Sequence, residues 1–162
     1  MILVALGANL PSKAGPPRAT LGAALAALAV SGVRIESVSA FYETEAWPDP
    51  DDPVFVNAVA RISTELPPRE LMTVLHEIET SFGRKRSEKN SPRTLDLDLI
   101  DYDGRVEEGP PTLPHPRAGG RAFVLVPLKD VAPDWRHPVT GETVEALLAK
   151  LGGASAVRRL QP

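Results

Sequence analysis

The chain contains no cysteine, which excludes disulfides, thiolate metal sites and a cysteine nucleophile. It has no apolar run near the roughly 18 residues a membrane span needs. Met1 leads directly into an apolar strand pattern with no signal-peptide layout, so a cytoplasmic protein without membrane association is expected. Neither sign of charge dominates: 18 basic against 21 acidic residues leave a net charge of −3. Bulk electrostatics therefore do not point to a nucleic-acid partner, and any phosphate site has to be a local basic patch. Side-chain amides are scarce, three asparagines and one glutamine beside 17 prolines. That bias accompanies heat stability in some proteins and a GC-rich genome in others. At 162 residues, with no internal repeat and no linker, the chain suits one domain with a real core. Residues 1–151 are expected to form it, with 152–162 a frayed C-terminal tail.

What the chain does have is concentrated in Pro92-Arg93-Thr94-Leu95-Asp96-Leu97-Asp98-Leu99-Ile100-Asp101-Tyr102. The alternation predicts a strand over 94–100, with Leu95, Leu97 and Leu99 on one face and Thr94, Asp96 and Asp98 on the other. Two carboxylates about 6.6 Å apart on one strand face repel each other, and stability alone does not ask for them. A hard divalent cation does: Mg²⁺ takes one or two carboxylates together with water and substrate phosphates. Arg93 adjoins the pair, and Arg84, Lys85 and Arg86 precede it. Carboxylates for metal beside guanidinium forks for phosphate oxygens suit phosphoryl transfer. The structural alternative for an isolated Asp-x-Asp is a solvated strand face with a salt-bridged arginine.

The rest of the chain supplies the setting. Met1–Leu6 is a strand covered on both faces, closed by a turn at Gly7-Ala8-Asn9-Leu10-Pro11. A packing helix runs from Pro16-Pro17 to about Ala29, and Val33–Thr44 reads as one long strand whose phase shifts near Ser37. A rigid acidic loop over 45–53 carries Trp47, an aromatic on a polar loop that can cover something flat. Val54–Ile62 is a strand antiparallel to Val33–Thr44, with Phe55, Asn57 and Val59 on one face. Asn57 can satisfy itself on backbone or read the edge of a heterocycle with one donor and one acceptor. Pro67-Pro68 opens a second helix, Arg69 to about Phe82, and Glu79 lies near its end. The loop Gly83–Pro92, charged and nearly free of core residues, has the composition of a lid. His115 stands between two prolines in Thr112-Leu113-Pro114-His115-Pro116-Arg117. Gly119–Phe123 leads into the apolar run Val124–Leu128, and Thr143–Leu151 is a short amphipathic helix.

Taken in order, Gly7-Ala8-Asn9-Leu10, Phe41-Tyr42-Glu43-Thr44, Phe55-Val56-Asn57, Glu79 with Gly83-Arg84-Lys85-Arg86, Pro92-Arg93-Thr94-Leu95-Asp96-Leu97-Asp98, Pro114-His115 and Arg121-Ala122-Phe123 resemble the 6-hydroxymethyl-7,8-dihydropterin pyrophosphokinases of folate biosynthesis. The likeness runs from Gly7 to about Leu151, and the Pro-Arg-Thr-Leu-Asp-Leu-Asp string is its most specific part. It implies an α+β, ferredoxin-like antiparallel sheet with helices packed on one face, and transfer of pyrophosphate from ATP to the pterin's hydroxymethyl group. By matched position, Asp96 and Asp98 would hold two Mg²⁺ ions. Arg84, Arg86 and Arg93 would act on the phosphates in catalysis, with Asp98 a candidate base, and His115 and Arg121 would also contact phosphates. ATP would further meet Met72, His76, Glu79, Leu99 and Thr112. The pterin would lie between Phe55 and Phe123, with Asn57 on its edge and Thr44 and Trp47 nearby. A monomer acting on small molecules, with no nucleic acid, is implied.

The chain departs from that pattern in places. Phe55 stands where many members have tyrosine, which keeps the stacking surface and drops a hydroxyl. Asn90 falls where a lid tryptophan is frequent, Ser91 where glycine is, and Pro110 where an arginine lies near adenine; Glu45 and Trp47 replace a Pro-Leu of the substrate loop. Two other classes share parts of the pattern. A ferredoxin-like RNA-binding module would present aromatic strands without paired aspartates. Another Asp-x-Asp metal enzyme would release a product other than AMP.

Overall fold

In the computed structural model of the chain, which describes residues 1–46, 49–83, 93–154 and 156–162, the first apolar run is strand β1 (Ile2–Ala8). Period-2 alternation sends Ile2, Val4, Leu6 and Ala8 into one core cluster and Leu3 and Ala5 toward another. On one side β1 pairs antiparallel with the long strand Phe55–Ser63, and on the other with the acidic strand Asp96–Tyr102. Numbered in chain order, the strands are β1, β2 (Arg34–Val38), β3 (Tyr42–Thr44), β4 (Phe55–Ser63), β5 (Asp96–Tyr102) and β6 (Arg158–Arg159). The antiparallel sheet runs β5-β1-β4-β3-β6, and β2 also pairs with β4.

Helices α1 (Pro17–Ala29) and α2 (Pro68–Ser81) each open with proline in the first turn, where a missing N–H costs nothing. Leu21, Ala24 and Leu28 of α1 and Leu71, Leu75 and Ile78 of α2 bury against Val4, Leu6, Leu97 and Leu99. Helices α3 (Ala122–Val131) and α4 (Val144–Lys150) cover the opposite face, where Val124, Leu125, Leu128 and Leu147 meet Leu3, Val59 and Ile100. The α+β class and the antiparallel sheet are as expected; the placement of helices on one face is not. Leu3, Val59 and Ile100 are at most 1% exposed. A sheet apolar on both faces needs a layer on each.

Two further expectations are corrected. The single strand over Val33–Thr44 is two strands. Register shifts between Ile35 and Ser37, a bulge at the place where the sequence changes phase. The chain then turns at Ser39, whose hydroxyl accepts from Val59 N–H at 2.9 Å. The tail from Gly152 is not frayed in its described part: Arg158 and Arg159 extend the sheet beyond β3, and Leu160 N–H donates to Phe41 O at 2.8 Å. Trp47, Arg84 and Arg86, together with the expected lid from 84 to 92, lie outside the described residues.

A ten-residue helix is about 15 Å long, too short to roof the whole of its sheet face. α3 covers the part around Leu3, Val59 and Ile100, and the rest of that face opens into a cavity. Its seat is tied by Tyr42 Oη, which donates to Asp130 Oδ2 at 2.8 Å, while the same oxygen accepts from Ala40 N–H at 3.1 Å. Burial, and then the Asp130 carboxylate, push the Tyr42 phenol up to about 12. The folded protein keeps this proton where the unfolded chain loses it near pH 10, so the contribution is whole below that pH and lost as pH rises toward about 12. Urea denaturation should show wild type losing stability faster than Tyr42→Phe as pH rises above about 9.5. At neutral pH the variant should be weaker by about 1 kcal/mol. Equal alkaline slopes would contradict the tie.

Candidate active site

Strand register assembles the floor of the cavity. Gly7 pairs with Asn57 on one side and Asp96 on the other, and Ala5 pairs likewise with Val59 and Asp98. Thr44 faces Phe55 across the next pair. Directly opposed residues share a face, so the aspartates, Gly7, Ala5, Asn57, Phe55 and Thr44 all look the same way. The wall comes from the segment entering α3: Pro116, Arg117, Gly120, Arg121, Phe123 and Val124. Together with Glu45 and Arg93 these enclose about 470 Å³, a volume that suits a small-molecule site.

The polar groups are held in specific states. Asn57 is 5% exposed, and its Nδ2 donates to Thr44 Oγ1 at 3.1 Å. The choice left open in the sequence resolves into a side-chain partner on one side and the cavity on the other. A Cβ on Gly7 would stand 3.0 Å from Asn57 Oδ1, so glycine there leaves the carboxamide its room. Arg93 Nη1 lies 3.2 Å from Asp96 Oδ2. His115 Nε2 lies 3.8 Å from Asp98 Oδ1. The Arg117 N–H donates to His115 Nδ1 at 3.1 Å, which leaves the ring proton on Nε2, facing Asp98. Burial, and then the Arg121 charge, lower the pKa of His115 and favour this neutral form. Burial and Arg117 also lower that of Arg121, against the pull of Asp98 and Asp96. The Arg121 guanidinium sits 5.4 Å from the centre of the Phe123 ring, within cation–π range.

A divalent cation fits this donor set. Asp96 and Asp98 offer only oxygen, from side chains 21% and 31% exposed. Among the described residues no group of three or more His, Asp or Glu side chains gathers to hold a metal. Two carboxylates with the remainder left to water and phosphate oxygens is the coordination Mg²⁺ accepts.

Of the expected site residues, Thr44, Phe55, Asn57, Arg93, Asp96, Asp98, Arg121 and Phe123 line this one cavity, and His115 adjoins it through Asp98. Met72, His76, Glu79, Leu99 and Thr112 do not line it. Met72 is partly buried and His76 exposed on α2, while Thr112 is exposed before His115. Leu99 is core, and the buried Glu79 Oε2 accepts from Leu97 N–H at 2.8 Å. The sequence reading missed Arg117, whose signal was its place beside His115 in Pro-His-Pro-Arg, and Gly7, a side-chain gap in an apolar strand.

An antiparallel α+β fold that lays paired aspartates and arginines beside an aromatic-walled hollow belongs to the class of small-molecule phosphoryl-transfer proteins. Residues 3–133 match the family model for 7,8-dihydro-6-hydroxymethylpterin-pyrophosphokinase (HPPK). The chain is 42% identical over 151 residues to the 2-amino-4-hydroxy-6-hydroxymethyldihydropteridine pyrophosphokinase of Synechocystis sp., covering 92% of this chain and 75% of the relative. It is 41% identical over 158 residues to the Methylorubrum extorquens enzyme of the same name, covering 96% of each. In fold it is similar to an HPPK-DHPS crystallised in complex with substrates, at a TM-score of 0.73 and 12% identity. That likeness covers 99% of this chain and 46% of the solved one, so the chain spans under half of that protein's length. The chain belongs to the HPPK family, enzymes of folate biosynthesis that transfer pyrophosphate from ATP.

Gly7→Ala tests the floor. Removing glycine's freedom in a strand gains about 0.5–1 kcal/mol, against about 1–3 kcal/mol for overpacking, so a net loss near 1 kcal/mol is expected. The Asn57 side-chain amide resonances should move while core methyl resonances stay in place. Unmoved Asn57 resonances would show that the glycine does not set the carboxamide's position.

Proposed function

We propose that this chain carries out its family's transfer in this cavity, with the pterin at the β3–β4 side and the ATP phosphates at the β5 side. The observation that carries the proposal is the shared cavity: Phe55, Asn57 and Phe123 line it together with Asp96, Asp98, Arg93 and Arg121. Asn57 and Asp96 flank Gly7 in one row across three strands, about 10 Å apart at the usual strand spacing. That span leaves room for a bicyclic ring and a phosphate chain side by side.

Phe55 and Phe123 would stack on the ring, and Asn57 would read its edge with Oδ1, its Nδ2 being held by Thr44. Arg93, Arg121 and the Nε2–H of His115 would donate to phosphate oxygens, stabilising charge that grows there in the transition state. Arg84 and Arg86 would add to this set. Met72, His76, Leu99 and Thr112 would meet adenine, and Glu79 would steady β5 beneath the nucleotide. Asp96 and Asp98 would hold two Mg²⁺ ions, which supply Lewis-acid neutralisation of the phosphates. The pterin hydroxymethyl oxygen would bond to the β-phosphorus as the bridging oxygen departs with AMP. Asp98 would be one candidate to take up the hydroxyl proton, and direct loss from a metal-polarised hydroxyl the other. The working unit would be a monomer.

Product analysis tests the reading: hydroxymethyldihydropterin with ATP and Mg²⁺ should yield AMP and the pterin diphosphate, and release of ADP would overturn it. Asp96→Ala and Asp98→Ala should each lower AMP formation at least about 100-fold. Both variants should stay folded, because each relieves the Asp96–Asp98 repulsion while giving up one partly exposed polar contact, Arg93 with Asp96 or His115 with Asp98. Unchanged turnover in either would refute the metal assignment. In calorimetric titrations Asn57→Ala should weaken pterin binding by about 1–3 kcal/mol and leave nucleotide binding in place. Equal loss for both ligands would make Asn57 structural.

A further inference from the structure

Asn9, 2% exposed, stands just past the end of β1, where the central strand leaves the sheet between β4 and β5. Its side chain spans the gap β1 leaves. Nδ2 donates to Pro53 O at 3.0 Å, and Oδ1 accepts from Arg93 N–H at 2.8 Å. Its own N–H and that of Leu10 both donate to Arg93 O, at 3.1 and 3.2 Å. The partners settle which way the carboxamide points, because Arg93 N–H can only donate and Pro53 O can only accept. A carboxamide carries one donor side and one acceptor side, as a peptide group does. Asn9 therefore continues the sheet's cross-links for one step beyond the strand.

Both ends of that link lead directly into the cavity. Pro53 is two residues before Phe55, and Arg93 is three before Asp96 and is itself a lining residue. We infer that Asn9 is a positioning residue for the transfer: beyond the last rung of the β1 ladder it sets the separation between the segment leading into Phe55 and the segment that carries Arg93. This rests on the assignment of pterin and phosphates to those segments. Each of the two segments keeps its own binding groups when Asn9 is lost, since Asn57 is held by Thr44 and Arg93 sits against Asp96. What changes is the distance between the two substrates. In-line attack is steep in that distance, and a displacement near 1 Å can cost about 100-fold.

Two variants separate positioning from bulk stability. Asn9→Ala removes both side-chain bonds. Its kcat should fall at least about ten-fold, with KM for ATP and for the pterin each within about three-fold of wild type. Asn9→Asp keeps the acceptor for Arg93 N–H and sets a carboxylate oxygen against Pro53 O. Protonation of the introduced carboxyl restores a donor, so its kcat relative to wild type should rise as pH falls, a change that a generally loosened fold would not make. The inference is overturned by unchanged kcat in Asn9→Ala, by a loss confined to the KM of one substrate, by a pH-independent ratio for Asn9→Asp, or by unfolding of both variants. Failure of the functional assignment looks different: wild type itself would then form no AMP.

Discussion

In this molecule the two-residue period of three adjacent strands decides what is core and what is chemistry. β1, β4 and β5 are apolar toward α1 and α2 along their lengths, with Val4, Leu6, Ala58, Leu97 and Leu99 buried on that side. Toward α3 they are apolar only over part of their length, at Leu3, Val59 and Ile100. Beyond those residues the same face presents Gly7, Ala5, Asn57, Asp96 and Asp98. A one-residue slip of β5 would turn Asp96 and Asp98 toward α1 and α2 and Leu97 and Leu99 toward the cavity. The site therefore shares the register that holds the core together, and its geometry is as well determined as the hydrophobic packing.

The consequence is a rigid floor with electrostatically shaped walls. The aspartates cannot turn away from each other without breaking the β1–β5 ladder, and that fits a site whose remaining ligands arrive with the substrate. Arg117 and Arg121 stand on the wall entering α3, while Arg93 and His115 lie against Asp96 and Asp98, donors to whatever anion enters. Small residues matter as much as charged ones. Gly7 and Ala5 keep the floor low between Asn57 and the acidic strand, and at Gly7 even a Cβ would stand 3.0 Å from Asn57 Oδ1.

Much of this was legible in the sequence because strand patterns are local. Asp-x-Asp alternating with leucines identified β5 and the face on which Asp96 and Asp98 meet the cavity, and proline pairs marked the starts of both helices over the first core. Other features depended on partners far away in the chain. Of the two helices on the second face, α4 was legible in the amphipathic pattern of Thr143–Leu151, whereas α3 was hidden because Val124-Leu125-Val126-Pro127 lacks a helical stripe and carries an internal proline, yet it folds against Leu3 and Val59. The break between β2 and β3 rests on Asp130, some 90 positions from Ala40. The pairing of β6 with β3 is equally remote, as are Asn9's bonds to Pro53 and Arg93. Asn9 read as turn chemistry because nothing near it in sequence reveals two backbone partners 44 and 84 positions away.

The central claim is that one sheet face holds the pterin beside Phe55, Asn57 and Phe123 while Asp96 and Asp98 hold the metal ions of the nucleotide. A crystal of the ternary complex with hydroxymethyldihydropterin, a non-hydrolysable ATP analogue and Mn²⁺ tests it most directly, since the metal is located by its anomalous scattering. The account predicts two anomalous peaks, both against the Asp96 and Asp98 carboxylates, and a pterin ring between Phe55 and Phe123 with its edge on Asn57 Oδ1. Metal bound away from both aspartates, or a pterin outside this cavity, would contradict it.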